Sequence, residues 1–194
     1  QYLVVDGQGV VSVGQAIQPP EVDIVVPDKF TCDQDGFNAT CYGQNATATG
    51  DQTTAIGANT IAGRASDATD SRVGSTAVGA LAKATGDDSV ALGVNTSSAG
   101  DKAIAVGARS QSTGDRAIAI GDLSASSGEQ SVALGSSSTA QGNYSAAIGF
   151  KATADEASSV AIGPNTATTR SGQIALGSAS TQVTVANLAN TTSV

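Results

Sequence analysis

The chain has 194 residues, a net charge of -8, no Trp, Met or His, and only three Phe and three Tyr. That excludes a conventional aromatic core, and 40% apolar with 13% charged residues excludes a disordered polymer. Nine Lys and Arg spread along an acidic chain leave no basic footprint for nucleic acid or an anionic membrane surface, and no apolar run approaches the ~18 residues of a membrane span.

Residues 1–42, with "PPEVDIVVP" and the cysteine loop "CDQDGFNATC", read as an irregular N-terminal cap. "VSVG" ending at Gly14 is a degenerate outlying copy of the repeat described below. Cys32 and Cys41, an even pair flanking a turn-rich loop, read as a disulfide that staples it; two buried free thiols are the alternative.

From residue 43 the sequence repeats. A glycine follows an apolar-Ala-apolar triplet at Gly79, Gly93, Gly107, Gly121, Gly135, Gly149, Gly163 and Gly177, with a spacing of 14 each time. Gly43 and Gly57 precede them, and a gap of 22 between Gly57 and Gly79 marks an insertion over about 63–72. A second glycine falls seven residues on, at Gly50, Gly86, Gly100, Gly114, Gly128 and Gly142. Fixed-period similarity of this kind denotes a repeat architecture.

Two heptads of coiled coil do not satisfy the pattern. Glycine in a helix interior costs ~1 kcal/mol each, and the apolar residues alternate, as in Ile104, Ala105, Val106. Each unit therefore reads as a strand, a glycine corner, a second strand and a second corner, with glycine at both corners for positive φ. Such units form one coil of a parallel β-solenoid, rising ~4.8 Å per coil to a rod of about 45–50 Å over residues 43–177. The insertion is expected to bulge from a corner without breaking the stack.

Within the first strand one parity carries Ala at every coil from Ala55 to Ala175, and the other carries Val90 and Leu92, Ile104 and Val106, Ile118 and Ile120, Val132 and Leu134, Val160 and Ile162, Ile174 and Leu176. A thin roll has room inside for Ala, which leaves the larger ladder facing out. Fifteen of the eighteen flanking positions from Thr54 to Leu176 are Val, Ile or Leu. At ~1.5–3 kcal/mol per buried aliphatic the ladder represents about 20–45 kcal/mol, too adhesive a patch for a monomer. Side-by-side oligomerisation is the expectation.

The units "SVALGVNTSSAGDK", "AIAVGARSQSTGDR" and "SVALGSSSTAQGNY" closely resemble the head repeats of YadA-like trimeric autotransporter adhesins, with their [SA]-[VI]-A-[IVL]-G core. The resemblance implies an all-β, left-handed parallel β-roll assembled as a parallel homotrimer. It also implies display on the outer-membrane surface of a Gram-negative bacterium, with signal and anchor outside this stretch. Gly93, Gly107, Gly121, Gly135, Gly149, Gly163 and Gly177 are then corners, and residues 178–194 a neck-like segment.

Catalysis has little to stand on, because there is no His for a triad and no phosphate-binding glycine motif; no cofactor is expected. The acids Asp87, Asp101, Asp115 and Glu129 recur every 14 residues, but one acid per coil is too few for a calcium roll, so they read as a solvated ladder. "DQDG" at 33–36 is only a fragment of a calcium loop, and the N-x-[ST] sequons at Asn38, Asn45, Asn95, Asn143 and Asn190 are expected by chance in so Asn/Ser/Thr-rich a chain. The second-strand column Thr60, Thr96, Ser110, Ser124, Ser138 and Thr166 would have to face outward in an ice-binding solenoid, and it is broken by Ala82 and Ala152.

The expected role is a non-catalytic adhesin head that attaches its cell to host matrix proteins, cells or other surfaces by multivalent shallow contacts. It makes no membrane contact itself and engages no nucleic acid. Arg109, Leu123, Phe150 and Lys151 are candidate ligand contacts. A spacer head, or a segment like a phage fibre, without a ligand of its own is the competing reading.

Overall fold

The computed structural model describes residues 2–5, 11–14, 32–35, 37–63 and 74–184. Apart from an antiparallel pair of strands, Tyr2–Val5 and Val11–Gly14, the described residues build a parallel β-solenoid of 14-residue coils, and none of them is helical. Ten three-residue strands make one sheet, from Thr40–Tyr42 through Thr54–Ile56 and Thr76–Val78 to Ile174–Leu176. Nine second strands make the other, from Cys32–Asp35 and Ala46–Thr49 to Thr153–Ala154. Both are parallel and strictly in register: Val90, Ala91 and Leu92 stack on Ile104, Ala105 and Val106.

The solenoid starts earlier than residue 43, since Cys32–Asp35 pairs with Ala46–Thr49 and Thr40–Tyr42 with Thr54–Ile56. Val11–Gly14 is not a coil; it pairs antiparallel with Tyr2–Val5. The insertion does leave the stack intact. Thr54–Ile56 pairs directly with Thr76–Val78, and Ile61–Ala62 with Lys83–Ala84, while residues 64–73 lie outside the described ones.

The core is one side chain thick. Ala55, Ala77, Ala91, Ala105, Ala119, Ala133, Ala147 and Ala161 are fully buried from the first sheet, facing Ala and Ser such as Ala84, Ser98, Ser112 and Ala140 from the second. Thr60, Thr96, Ser110, Ser124, Ser138 and Thr166 are also buried. They turn inward and bond backbone carbonyls, as Thr96 Oγ1 donates to Gly107 O at 2.6 Å and Ser138 Oγ to Gly135 O at 2.8 Å. The column that ice binding would require on the surface is therefore interior.

The two corners use glycine differently. After each apolar triplet the glycine has φ between 120° and 138° from Gly79 to Gly163, a region hostile to side chains. The seventh-place glycines Gly86, Gly100, Gly114, Gly128 and Gly142 do not have positive φ. Their requirement is space: a Cβ on Gly114 would lie 2.6 Å from the carbonyl carbon of Gly128 in the next coil. Positive φ falls instead two residues after each corner glycine, on side chains of every kind. From Leu81 to Asn165 one residue in seven is left-handed, with φ of 52° to 61°.

The solenoid loosens where this logic fails. Glu156 occupies the next seventh-place corner after Gly142, and Arg170 the one after that. Beyond Thr153–Ala154 the second sheet dwindles to a single bridge, Thr153 to Ala167. In the last coil Ala175 is only half-buried and Ile174 is 68% exposed. Residues 178–184 form no regular strand, and the rest of the neck-like segment lies outside the described residues.

Candidate binding and assembly surface

The first sheet turns its Ala column inward, so its flanking columns point away from the core. Val90, Ile104, Ile118, Val132 and Val160, which open their strands, are half-buried by stacked neighbours. Val106, which closes its strand, is half-buried too. Most closing residues are more open, with Leu92 at 36%, Ile120 at 38%, Leu134 at 42% and Ile162 at 41% exposed. Ile174 and Leu176 end the ladder, more exposed still. Aliphatic surface thus runs the length of one sheet and grows toward the edge where the strands finish.

Each strand of that sheet lies between an entry corner, just before it, and an exit corner, just after its glycine. The candidate contacts Arg109, Leu123 and Lys151 occupy the same exit-corner position in their coils, each left-handed and exposed. Phe150 stands one residue earlier. The structure therefore brings all four to one edge of the rod, and adds Leu81 and Val94, 46% and 55% exposed, which follow Gly79 and Gly93 in the same way. Their position modulo 14 was the signal that could have found them. Arg109 binds Asp122 of the next coil through both carboxylate oxygens, at 3.0 and 3.1 Å, and Lys151 Nζ lies 5.1 Å from the centre of the Phe150 ring.

The entry corner is polar. Asp101 Oδ1 accepts the backbone N–H of Asp87 at 3.1 Å, and Asp115 Oδ1 that of Asp101 at 3.2 Å. Asn143 Oδ1 does the same for Glu129 at 3.0 Å, and Asp51 Oδ1 for Phe37 at 2.8 Å. Asp51, Asp101, Asp115 and Asn143 are thus caps, each satisfying a corner N–H of the coil before it. An Asn serves equally, which is why charge is not kept at every level. Among the described residues no group of three or more His, Cys, Asp or Glu could hold a metal.

Four of the five sequon asparagines have local structural roles, and Asn190 lies outside the described residues. Asn38, Asn45 and Asn95 are left-handed corner residues, a conformation that Asn adopts more readily than most, and Asn143 is a cap. Among the described residues no helix is long and apolar enough to cross a membrane.

The model of the YadA head domain repeat matches residues 36–60, 73–96, 98–124, 126–152 and 140–166, more than half of the chain. Among solved structures, the chain is similar to the collagen-binding domain of the Yersinia adhesin YadA. The two share 28% sequence identity with a TM-score of 0.59, over 78% of this chain and 75% of that one. No curated protein sequence matches the chain.

Proposed function

The chain belongs to the YadA head-repeat family, and from that premise we propose that it is the adhesive head of a bacterial outer-membrane protein, assembled as a parallel homotrimer. The observation that carries the reading is the unbroken aliphatic ladder on one sheet face, still 36–42% exposed at Leu92, Ile120, Leu134 and Ile162 in a single chain. Stacked coils already cover more than half of every ladder residue except Ile174, so the gain left for association is about 0.5–1 kcal/mol per residue. Over fifteen residues it is ample for a stable trimer, and a threefold axis lets three identical faces cover one another.

The role is attachment, without catalysis. Three copies of a shallow contact on a stiff rod give avidity beyond that of any one contact. The similar Yersinia domain is a collagen-binding one, which makes matrix proteins the first ligand class to test, with Arg109, Leu123, Phe150 and Lys151 as contacts. At the N-terminal end we propose a disulfide between Cys32 and Cys41. Their strands, Cys32–Asp35 and Thr40–Tyr42, are the first of the two sheets and belong to one coil, and no free cysteine occurs among the described residues.

The test is binding of the trimer to immobilised collagen, fibronectin and laminin. Saturable binding weakened at least tenfold by combined Ala substitution of the four exit-corner residues supports the head as the adhesive part. A folded trimer that binds none of the three favours the spacer reading.

A further inference from the structure

The seventh-place corner depends on a missing side chain. A Cβ on Gly86, Gly100, Gly114, Gly128 or Gly142 would overlap the backbone carbonyl of the residue 14 further on, which for Gly142 is that of Glu156. Glu156 is the next member of this series and does carry a Cβ, facing by the same geometry the carbonyl of Arg170. The bonding changes at that corner. Thr113 N–H donates to Ser126 O at 2.9 Å, Ser127 N–H to Ala140 O at 3.0 Å and Gln141 N–H to Ala154 O at 3.1 Å. The next bond in the series, from Asp155 N–H to Thr168 O, is not formed.

We infer that residues 166–171 form a strap that opens from the solenoid as a local unit, pivoting on its two corners while the ladder sheet stays closed, and that the Cβ of Glu156 holds it ajar. The pivots are intact: Asn165 N–H donates to Phe150 O at 2.8 Å on one side, and Gly172 N–H to Ala157 O at 3.0 Å on the other. The ladder side is intact too. Val160, Ala161 and Ile162 stay in register with Ile174, Ala175 and Leu176, and Gly177 N–H donates to Ile162 O at 2.7 Å.

Between the pivots little holds the strap down. Thr153 N–H donates to Thr166 O at 2.8 Å, Thr168 N–H to Thr153 O at 3.0 Å, and Thr168 Oγ1 lies 2.9 Å from Ser159 Oγ. The strap's other bonds turn back on itself: Thr169 donates to Gln173 Oε1 through its N–H at 2.8 Å and through its hydroxyl at 3.2 Å. A segment tied to itself, with few bonds to the coil below, opens as one piece rather than residue by residue. Its opening leaves the earlier coils untouched, because their corners retain glycine up to Gly142. The strap belongs to the second sheet, on the side of the coil away from the ladder, so the inference requires no sister chain.

Hydrogen exchange of the full chain, read amide by amide and corrected for intrinsic rates, tests it. In the parent, Thr168 is expected to exchange roughly tenfold or more faster than Gly177, whose bond lies on the ladder side, and Asp155 as much faster than Gln141. Glu156→Gly removes the Cβ and should slow Thr168 and Asp155 by a similar factor. Glu156→Ala removes the charge but keeps the Cβ, and should slow neither. Equal rates at Thr168 and Gly177 in the parent mean that the whole coil frays from its end, which overturns the strap without recourse to any variant. Equal effects of the two substitutions overturn the Cβ as its cause.

Discussion

Substituting Gly114 by Ala isolates one of the close backbone approaches between successive coils. The new Cβ would lie 2.6 Å from the carbonyl carbon of Gly128, against an ordinary contact of roughly 3.4 Å or more. The coils must therefore part locally by at least about 0.8 Å, since the carbonyl oxygen of Gly128 is nearer still. The adjacent bond, Thr113 N–H to Ser126 O at 2.9 Å, would stretch beyond bonding range. Loss of one or two backbone bonds together with overpacking comes to about 2–4 kcal/mol, or about 4–15 °C in Tm for a chain of this size. Gly172→Ala is the matched control, since it has φ of +68° and nothing within 4 Å of an added Cβ, so only the left-handed strain of about 1 kcal/mol applies. Thermal unfolding followed by far-ultraviolet circular dichroism, at one protein concentration for both variants, compares them. Equal Tm losses would refute coil stacking as the reason for the seventh-place glycines.

Three further substitutions probe the interior and the corners. Ser112→Ala removes a buried hydroxyl that has no hydrogen-bond partner; stability in urea should hold or rise by about 1 kcal/mol, and a loss above 1 kcal/mol would contradict its idleness. Asp115→Ala deletes the cap on the Asp101 N–H and should cost about 0.5–1.5 kcal/mol, whereas Asp115→Asn, which imitates Asn143, should retain most of it. Burial, then the neighbouring Glu156, raises the Asp155 carboxyl above its usual range. The folded chain therefore holds that proton more tightly than the unfolded one. Its contribution is present at acid pH and is lost as pH rises through the raised folded value. Asp155→Asn should accordingly be more stable than the parent at pH 7, with the difference closing below about pH 4; a Tm difference independent of pH would contradict this.

The period, the strands and the inward Ala column were readable because they follow from alternation and from the volume of a methyl group, as at Ile104, Ala105 and Val106. The corners were less so. Glycine suggested positive φ at both, yet at Gly114 it answers a neighbour 14 residues away, and the left-handed turn falls on Arg116. A residue type reports a conformational need only when local backbone geometry, rather than a distant coil, selects it. Asp101 and Asp115 looked solvated because their partners, backbone N–H groups one coil away, have no side-chain signature. The buried Thr96 and Ser110 looked like surface residues for a similar reason: at these thin corners a hydroxyl bonds a nearby carbonyl, and polarity ceases to mark exposure.

Sister chains are expected to cover the aliphatic ladder. Multi-angle light scattering of the parent chain and of Ile118→Asp, each at several concentrations, measures this directly. The parent should scatter as three copies of the 18.8 kDa chain, and the variant should dissociate or aggregate, because a carboxylate in that seam has no partner. A parent chain that stays monomeric and soluble at high concentration, with the ladder open to water, would contradict it.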